Sequence, residues 1–256
     1  MATYRYVKVT EEGHVVRVTL ARPPLNILTI EMMQELNDAL RAVSACAETR
    51  ALVLAAEGKA FSAGVAVEDH MGDRVKPMLE SFHEIFRQLH ALNCPTVAAV
   101  QGPALGGGAE LATFCDLAIA SESATLGQPE IKVGVFPPIA ALHYPNRVGQ
   151  TRALQLLLSG DVIPAREAER IGLVDRVVPA EELEPAVAAA LQSFTDKSAA
   201  VLRLTKRAVR EAGIDNFELA LVRLEDLYFD ELMRTEDAAE GLRAFVEKRP
   251  PAWKHR

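Results

Sequence analysis

Near the amino terminus the chain alternates between apolar and polar residues, a pattern typical of half-buried β-strands. Two runs rich in β-branched and aromatic residues, 4–9 and 14–20, are separated by the turn-forming segment 11–13 (EEG). The pattern therefore predicts a β-hairpin at the start of the chain.

After the hairpin, segments with the apolar spacing of a helix alternate with the wholly apolar runs of buried strands. Apolar positions recur at helical spacing over residues 29–46, and Thr29 is suited to cap that helix. Wholly apolar runs predict buried strands at Ala51–Ala56 and Thr96–Val100. The other elements predicted before residue 122 are helices over 75–92 and 109–115 and a strand over 116–121. This order predicts parallel strands joined by right-handed crossovers.

Helical patterns dominate the chain after Pro137. The predicted helices cover residues 140–148, 151–158, 164–171, 181–197, 199–212 and 217 to the end, with one short strand over 173–178. We therefore expect an α/β core over residues 1–195 and a helical C-terminal part over residues 196–256.

The composition of the 256 residues excludes several classes of protein. Hydrophobic residues make up 49% and charged residues 25%, which is globular rather than disordered or collagen-like. The net charge of −7 argues against nucleic acid or membrane binding over the whole surface. Three cysteines without metal-type spacing, no secretory signal and no long apolar window predict a cytoplasmic protein with reduced thiols.

Two loops of small residues follow predicted buried strands, at 61–65 (FSAGV) and 102–108 (GPALGGG). Glycine lets the backbone approach a ligand closely, and one amide from each loop can converge on a single oxygen as in an oxyanion hole. The second loop lacks the spacing of a dinucleotide motif and the lysine of a P-loop. Tight packing of a strand on a helix accounts for the glycines equally well, so their spacing alone does not distinguish a ligand-binding loop from a packing contact.

Glu110 and Glu130 form a candidate carboxylate pair. Glu110 lies in the first turn of the helix after the glycines, where the positive helix end favours the ionised form. Glu130 is flanked by apolar residues, and burial there raises the pKa of a carboxyl. Two such groups can share acid and base roles on one water. The alternative is that Glu110 only complements the helix end while Glu130 lies on the surface. The sequence contains no metal-binding motif.

Taken together, these segments resemble the enoyl-CoA hydratase/isomerase (crotonase) family from one end of the chain to the other. The matching segments are 21–26 (ARPPLN), 61–64 (FSAG), 102–111 (GPALGGGAEL), 127–131 (GQPEI), 163–168 (IPAREA), 172–174 (GLV) and 245–249 (FVEKR). The resemblance implies a crotonase-like spiral of ββα units with a C-terminal helical part that makes trimer contacts, often in a dimer of trimers. It also implies an acyl-CoA thioester as substrate, so that coenzyme A is part of the substrate and no separate cofactor is needed.

The resemblance further implies a role for each matching position. The amides of Val65 and Gly107 would polarise the thioester carbonyl. Both glutamates of the hydratases are present, which favours hydration, with Glu110 activating the water and Glu130 donating the proton. The positions implied in coenzyme A or substrate binding are Pro24, Leu25, Ala63, Gly64, Ala66, Val67, Glu68, Gly106, Phe136, Pro137, Phe245 and Lys248.

Two departures from the family pattern matter, the first for the local loop contacts and the second for the substrate. Ala66 stands where most relatives have aspartate, and Phe136-Pro137-Pro138 replaces a glycine-rich segment. The second departure stiffens one wall and is similar to hydratases that act on a cyclic dienoyl-CoA. Three alternatives stay open: a short-chain 2-enoyl-CoA hydratase, an enoyl-CoA isomerase that needs only one base, and a catalytically silent protein that binds CoA esters.

Overall fold

The structure, a computed structural model, describes residues 3–46, 48–195, 197, 199–213 and 217–252. The strands are β1 (Val7–Glu12), β2 (Val15–Leu20), β3 (Ala51–Ala56), β4 (Thr96–Val100), β5 (Ala104–Leu105), β6 (Leu117–Ser121), β7 (Thr125–Gly127), β8 (Val162–Pro164) and β9 (Arg176–Val178). The helices are α1 (Ile30–Ala45), α2 (Val75–Ala91), α3 (Gly107–Phe114), α4 (Pro138–Val148), α5 (Gln150–Ser159), α6 (Ala165–Arg170), α7 (Leu183–Thr195), α8 (Ala199–Gly213), α9 (Phe217–Asp226) and α10 (Glu236–Val246). Within these ranges, no helix combines the length and apolar character needed to cross a bilayer.

The larger sheet has the strand order β1-β2-β3-β4-β6-β9. The first pair is the predicted antiparallel hairpin, which turns at Gly13 with a φ of +59°, and the remaining neighbours are parallel. The strand β1 extends through Glu12, so the turn is shorter than the sequence indicated. The parallel core with intervening helices is as predicted.

Both faces of the larger sheet are covered, which explains its continuous apolar strands. Successive side chains of a strand point to opposite faces. Leu52 and Leu54 of β3 therefore face the main core with α1 and α2, whereas Val53 and Ala55 face a second cluster that contains Val187 of α7. A strand buried on both sides cannot show the polar–apolar alternation of the hairpin.

A second sheet, with the order β5-β7-β8, was not predicted. Its strands are only two or three residues long, too short for a period to be seen in the sequence. Leu105 of β5 pairs with Gly127 of β7. The pairing holds the glycine-rich turn that precedes α3 beside the segment that carries Glu130.

The C-terminal region is interrupted, so the prediction of one helix from residue 217 onward is wrong. A π-helical turn (Leu227–Glu231) and a 3-10 turn (Leu232–Arg234) separate α9 from α10. Thr235 ends the irregular stretch because its hydroxyl accepts a hydrogen bond from the Ala238 amide and caps α10. Residues 196 and 253–256 of the predicted helices lie outside the described residues. Side chains from α9 and α10 enter the main core.

Candidate active site

The two small-residue loops lie side by side. The Leu105 amide donates a hydrogen bond to the Ser62 carbonyl at 2.9 Å. A Cβ atom on Gly64, whose φ is +99°, would lie 3.0 Å from the Leu105 carbonyl oxygen and 3.7 Å from the Gly107 nitrogen. The close approach therefore depends on glycine at position 64.

The backbone N–H groups of Val65 and Gly107 are not taken up by the hydrogen bonds of the neighbouring strand-like and helical segments. Leu28 bonds to the neighbours of Val65, because its amide donates to the Gly64 carbonyl and its carbonyl accepts from the Ala66 amide. Gly107 begins α3, where amides have no partner within the helix. A Cβ on Gly107 would lie 2.9 Å from Cγ2 of Val65, so the two residues are in contact. The arrangement suits two donors that serve one oxygen.

Glu110 projects from the first turn of α3 and is 2% exposed. Its Oε1 atom accepts a hydrogen bond of 2.6 Å from the Ala140 amide in the first turn of α4, a helix that begins at Pro138. Burial raises the pKa of Glu110 to about 7, against the opposing effect of hydrogen bonds from the Ala140 and Ile139 amides. The helix end was expected to favour the ionised form of Glu110, but the loss of hydration outweighs the donors, so the net pKa is raised.

Glu130 lies in a 3-10 turn (Pro129–Val133) that directly follows β7. Its carboxylate lies against Gly106, where a Cβ would be 2.5 Å from Oε1 of Glu130. Burial raises the pKa of Glu130 well above its usual range, and the negative charge of Glu110 raises it further. The direction is the one expected from the apolar sequence around it.

Gln128 and Tyr144 form a buried polar chain that ends on Glu130. In the amide orientation that satisfies both neighbours, Gln128 Nε2 donates to the two carboxylate oxygens of Glu130 at 3.1 and 3.2 Å. Its Oε1 atom then accepts a hydrogen bond of 2.7 Å from the Tyr144 hydroxyl. In the opposite orientation Gln128 Nε2 donates to the Tyr144 hydroxyl, and the amide oxygen faces Glu130, from which it accepts a hydrogen bond only when that carboxyl is protonated. The chain fixes the direction in which Glu130 points.

A cavity of about 320 Å³ brings the loops and the carboxylates together. The lining residues that the sequence had marked as site residues are Ala63, Gly64, Val65, Val67, Gly106, Gly107, Glu110, Glu130, Phe136, Pro137 and Phe245. The rest of the lining is mostly apolar, with Pro138 and Val135 beside Phe136. A mostly apolar cavity with a few convergent polar groups is typical of a small-molecule site.

Five other marked positions, Pro24, Leu25, Ala66, Glu68 and Lys248, do not line this cavity. Pro24, Leu25, Glu68 and Lys248 are exposed, and Ala66 is buried. The Pro24 carbonyl accepts hydrogen bonds from two amides, and the Leu25 carbonyl accepts one from the Ala63 amide. Their contact with a coenzyme stays a prediction.

Several lining residues were not marked as site residues in the sequence. They are His70, Met78, Leu79, Phe82, Pro129, Lys132, Val133, Val135, Pro138, Tyr228 and Leu242. Met78, Leu79 and Phe82 follow the helical period of α2, and the same spacing is expected for ordinary core residues. The Tyr228 side chain is 1% exposed and comes from the interrupted C-terminal region. Helical periodicity cannot show that a residue faces a cavity rather than another side chain.

The family is shown by comparison with known proteins. A model of the family described as enoyl-CoA hydratase/isomerase matches residues 10–256. The chain belongs to the enoyl-CoA hydratase/isomerase family. Similar curated proteins include a cyclohexa-1,5-dienecarbonyl-CoA hydratase of Thauera aromatica, which is 41% identical over 249 residues, or 96% of this chain and 95% of the relative. A probable enoyl-CoA hydratase of Rhizobium meliloti is 40% identical over 260 residues, or 99% of this chain and 100% of the relative.

Solved structures show the same fold. An enoyl-CoA hydratase from Mycobacterium avium subsp. paratuberculosis superposes with a TM-score of 0.88 and is 31% identical, covering 98% of this chain and 100% of that one. An enoyl-CoA hydratase/isomerase from Pseudoalteromonas atlantica has a TM-score of 0.85 at 30% identity, covering 97% and 100%. The expected crotonase-like α/β fold is confirmed.

Proposed function

We propose that the protein is a hydro-lyase that adds water to the conjugated double bond of an enoyl- or dienoyl-CoA thioester. The observation that carries the proposal is the pair of carboxyl groups, buried Glu110 and half-buried Glu130, in one cavity with two converging amide loops. An isomerase needs one base, whereas addition of water needs both an acceptor and a donor of protons.

The carboxyl pair can divide these tasks because the two groups do not ionise together. Burial raises the pKa of both carboxyls, and the charge of Glu110 further raises that of Glu130. Near neutral pH the pair therefore retains a proton on Glu130 while Glu110 is free to accept one. This is the division of roles that hydration requires.

In the proposed reaction, Glu110 removes a proton from water as the water oxygen bonds to the β-carbon. The electron pair of the double bond moves toward the α-carbon and the thioester oxygen, and Glu130 supplies the proton that the α-carbon receives. One proton then returns from Glu110 to Glu130 through solvent. The amides of Val65 and Gly107 hold the thioester oxygen, and loss of one such donor costs about 3 kcal/mol in related chemistry.

For the acyl group we propose a flat cyclic dienoyl unit. Phe136 packs edge-on against Tyr228 with ring centroids 5.3 Å apart, and Pro137 and Pro138 follow it, so this wall is rigid and apolar. The name of the Thauera aromatica relative indicates the same kind of substrate for that protein. A short-chain 2-enoyl-CoA is the second candidate. It is favoured by the Rhizobium meliloti relative, whose name mentions no cyclic acyl group.

Coenzyme A belongs to the substrate in this proposal, and no separate cofactor is involved. Phe245 lines the cavity and Lys248 follows α10, where an exposed ammonium group suits a coenzyme phosphate. The Pro24 and Leu25 carbonyls bond to amides of residues 59–63, and Ala66 and Glu68 follow Val65 along the chain, so the proposal assigns these four residues to the pantetheine chain.

We further propose a homotrimer or a dimer of trimers that works in the cytoplasm, without a nucleic acid or membrane partner. Leu154 and Leu158 share one face of α5 and are 48% and 68% exposed, and Val162 of the adjacent β8 is also exposed. An exposed apolar patch of this kind is typical of a protein interface. The three cysteines are free thiols, which suits a reducing compartment.

The test compares crotonyl-CoA and cyclohexa-1,5-diene-1-carbonyl-CoA side by side, with Glu110→Gln and Glu130→Gln as variants. Each variant should lower hydration by orders of magnitude while CoA-ester binding survives, because glutamine keeps the shape but exchanges no proton. Glu11→Gln, at an exposed position of β1, is the control. Double-bond migration without a water adduct would select the isomerase, and tight binding without turnover would select the silent binding protein.

A further inference from the structure

Tyr228 lines the cavity from a segment of non-α-helical backbone. It lies in the π-helical turn Leu227–Glu231, between α9 and the capped start of α10. Such turns are rare and occur frequently at functional sites. The Tyr228 side chain is 1% exposed and lines the cavity together with Phe136, Glu110 and Glu130.

The hydroxyl of Tyr228 has no hydrogen-bond partner among the groups that the structure describes. A buried polar atom without a partner costs free energy, and a phenylalanine would fill the same space without that cost. Tyr144 is equally buried, but its hydroxyl bonds to Gln128. The Tyr228 hydroxyl is therefore an unpartnered donor on a residue that lines the cavity.

The surroundings of Tyr228 define what this donor can bind. Its ring is held by the edge contact with Phe136, at an interplanar angle of 61°. Burial raises the pKa of Tyr228, and the negative charges of Glu130 and then Glu110 add to that effect. The phenol thus stays protonated near neutral pH, within the electrostatic field of both carboxyl groups.

We propose that the Tyr228 hydroxyl donates a hydrogen bond to the oxygen that adds to the β-carbon, first in the attacking water and then in the hydroxyl group of the product. The inference rests on the proposed hydration. The phenol transfers no proton: the water proton goes to Glu110, and the α-carbon is protonated by Glu130. Tyr228 occupies one lone pair of the water and so directs the other at the β-carbon.

The experiment compares Tyr228→Phe with the wild type in two reactions of the same site. One is hydration of the better of the two CoA esters above. The other is exchange of the α-proton of a saturated acyl-CoA with deuterium oxide, which uses the amide loops and the carboxyl pair but adds no oxygen. Tyr6→Phe removes a hydroxyl outside the cavity and is the control.

We expect Tyr228→Phe to lower kcat for hydration by about tenfold or more, with KM and the rate of α-proton exchange within about twofold of wild type. The melting temperature should be unchanged or higher, because an unpartnered hydroxyl is removed from the interior.

Two results would overturn the inference. Hydration by the variant within about twofold of an active wild type would show that the hydroxyl does not touch the adding oxygen, and the proposed function would stand. An equal fall in the rates of hydration and of α-proton exchange would show that Tyr228 supports the carboxyl pair or the stability of the fold instead. If the wild type exchanges the α-proton but hydrates neither ester, the proposed hydration itself fails.

Discussion

The Oε1 atom of Glu130 lies 2.5 Å from the position that a Cβ atom on Gly106 would occupy. The φ of Gly106 is +52°, and its amide donates a hydrogen bond to the Gly127 carbonyl at 2.9 Å. The backbone at Gly106 is thus fixed by the β5–β7 pairing, and the carboxylate occupies the room that a side chain would need. The absence of a side chain at residue 106 is what lets Glu130 reach the cavity.

We therefore expect Gly106→Ala to displace the Glu130 carboxylate and lower hydration by on the order of a hundredfold, the loss typical of a catalytic group moved by about 1 Å. Steady-state kinetics on the ester accepted by the wild type measures the effect.

Gly72→Ala is the matched control for backbone strain. Gly72 has a similar φ of +56°, and no atom of the described residues lies within 4 Å of its hypothetical Cβ. The positive φ should cost about 1–2 kcal/mol of stability there with little change in activity. If both variants lost the same activity, the collision with Glu130 would not be the cause.

The raised pKa of Glu110 predicts a pH dependence of stability. The ordinary value of 4.5 applies to the unfolded chain, and burial raises the pKa to about 7 in the fold. Between these values the folded state binds more protons, so the free energy of unfolding should fall as the pH rises from 4.5 to about 7. Each unit of difference corresponds to about 1.4 kcal/mol.

Glu110→Gln tests this linkage because glutamine does not titrate. Urea unfolding at pH values below and above this window should show a smaller loss of stability in the variant than in the wild type. Glu11→Gln, at an exposed position, should follow the wild type. A pH dependence identical in all three proteins would mean that the Glu110 carboxyl does not carry the effect.

Glu225 joins α9 to α2 by two hydrogen bonds on its Oε1 atom. Nδ1 of His83 lies at 2.9 Å and Nη2 of Arg87 at 3.0 Å. Burial lowers the pKa of His83, so its ring is neutral and donates through Nδ1. We expect Glu225→Ala to cost about 1–3 kcal/mol, because the fully buried imidazole loses its partner. Hydrogen exchange should quicken in α9, and activity should fall because α9 leads directly to Tyr228.

Glu218→Ala is the comparison, since Glu218 also contacts Arg87, at 3.2 Å, but its side chain is 60% exposed. A surface ion pair of this kind contributes less than about 1 kcal/mol. Thermal unfolding of the two variants distinguishes them, and equal melting temperatures would contradict the role of His83.

The sequence predicted the elements whose period could be seen over several turns or pleats. The hairpin, the buried strands Ala51–Ala56 and Thr96–Val100, and helix α2 emerge where expected, because burial on one or both faces imposes a pattern. The strands of the second sheet are invisible in the sequence because two or three residues cannot display alternation. The position of the loops against Glu130 depends on that sheet.

The motifs in the sequence located the candidate site, but they predicted the direction of the pKa shift for only one of its two carboxyl groups. The apolar residues around Glu130 indicated its raised pKa, whereas the helix position of Glu110 indicated the opposite of what burial does there. Burial arises from packing between distant segments, in this case α3 against α4. Tyr228 was missed for a different reason, because a π-helical turn has no simple sequence period.

The hydrogen bond from the Ala140 amide to Glu110 joins the carboxylate to the beginning of α4, just after the Phe136–Pro138 wall. A mutation that removes Glu110 therefore also frees the helix end that holds this wall. In laboratory evolution of this enzyme, a mutation of Glu110 that changes the reaction should therefore also change the range of acyl groups that the cavity accepts. A lineage that replaces this glutamate with an apolar residue leaves the Ala140 amide without this acceptor, whereas glutamine can keep the bond.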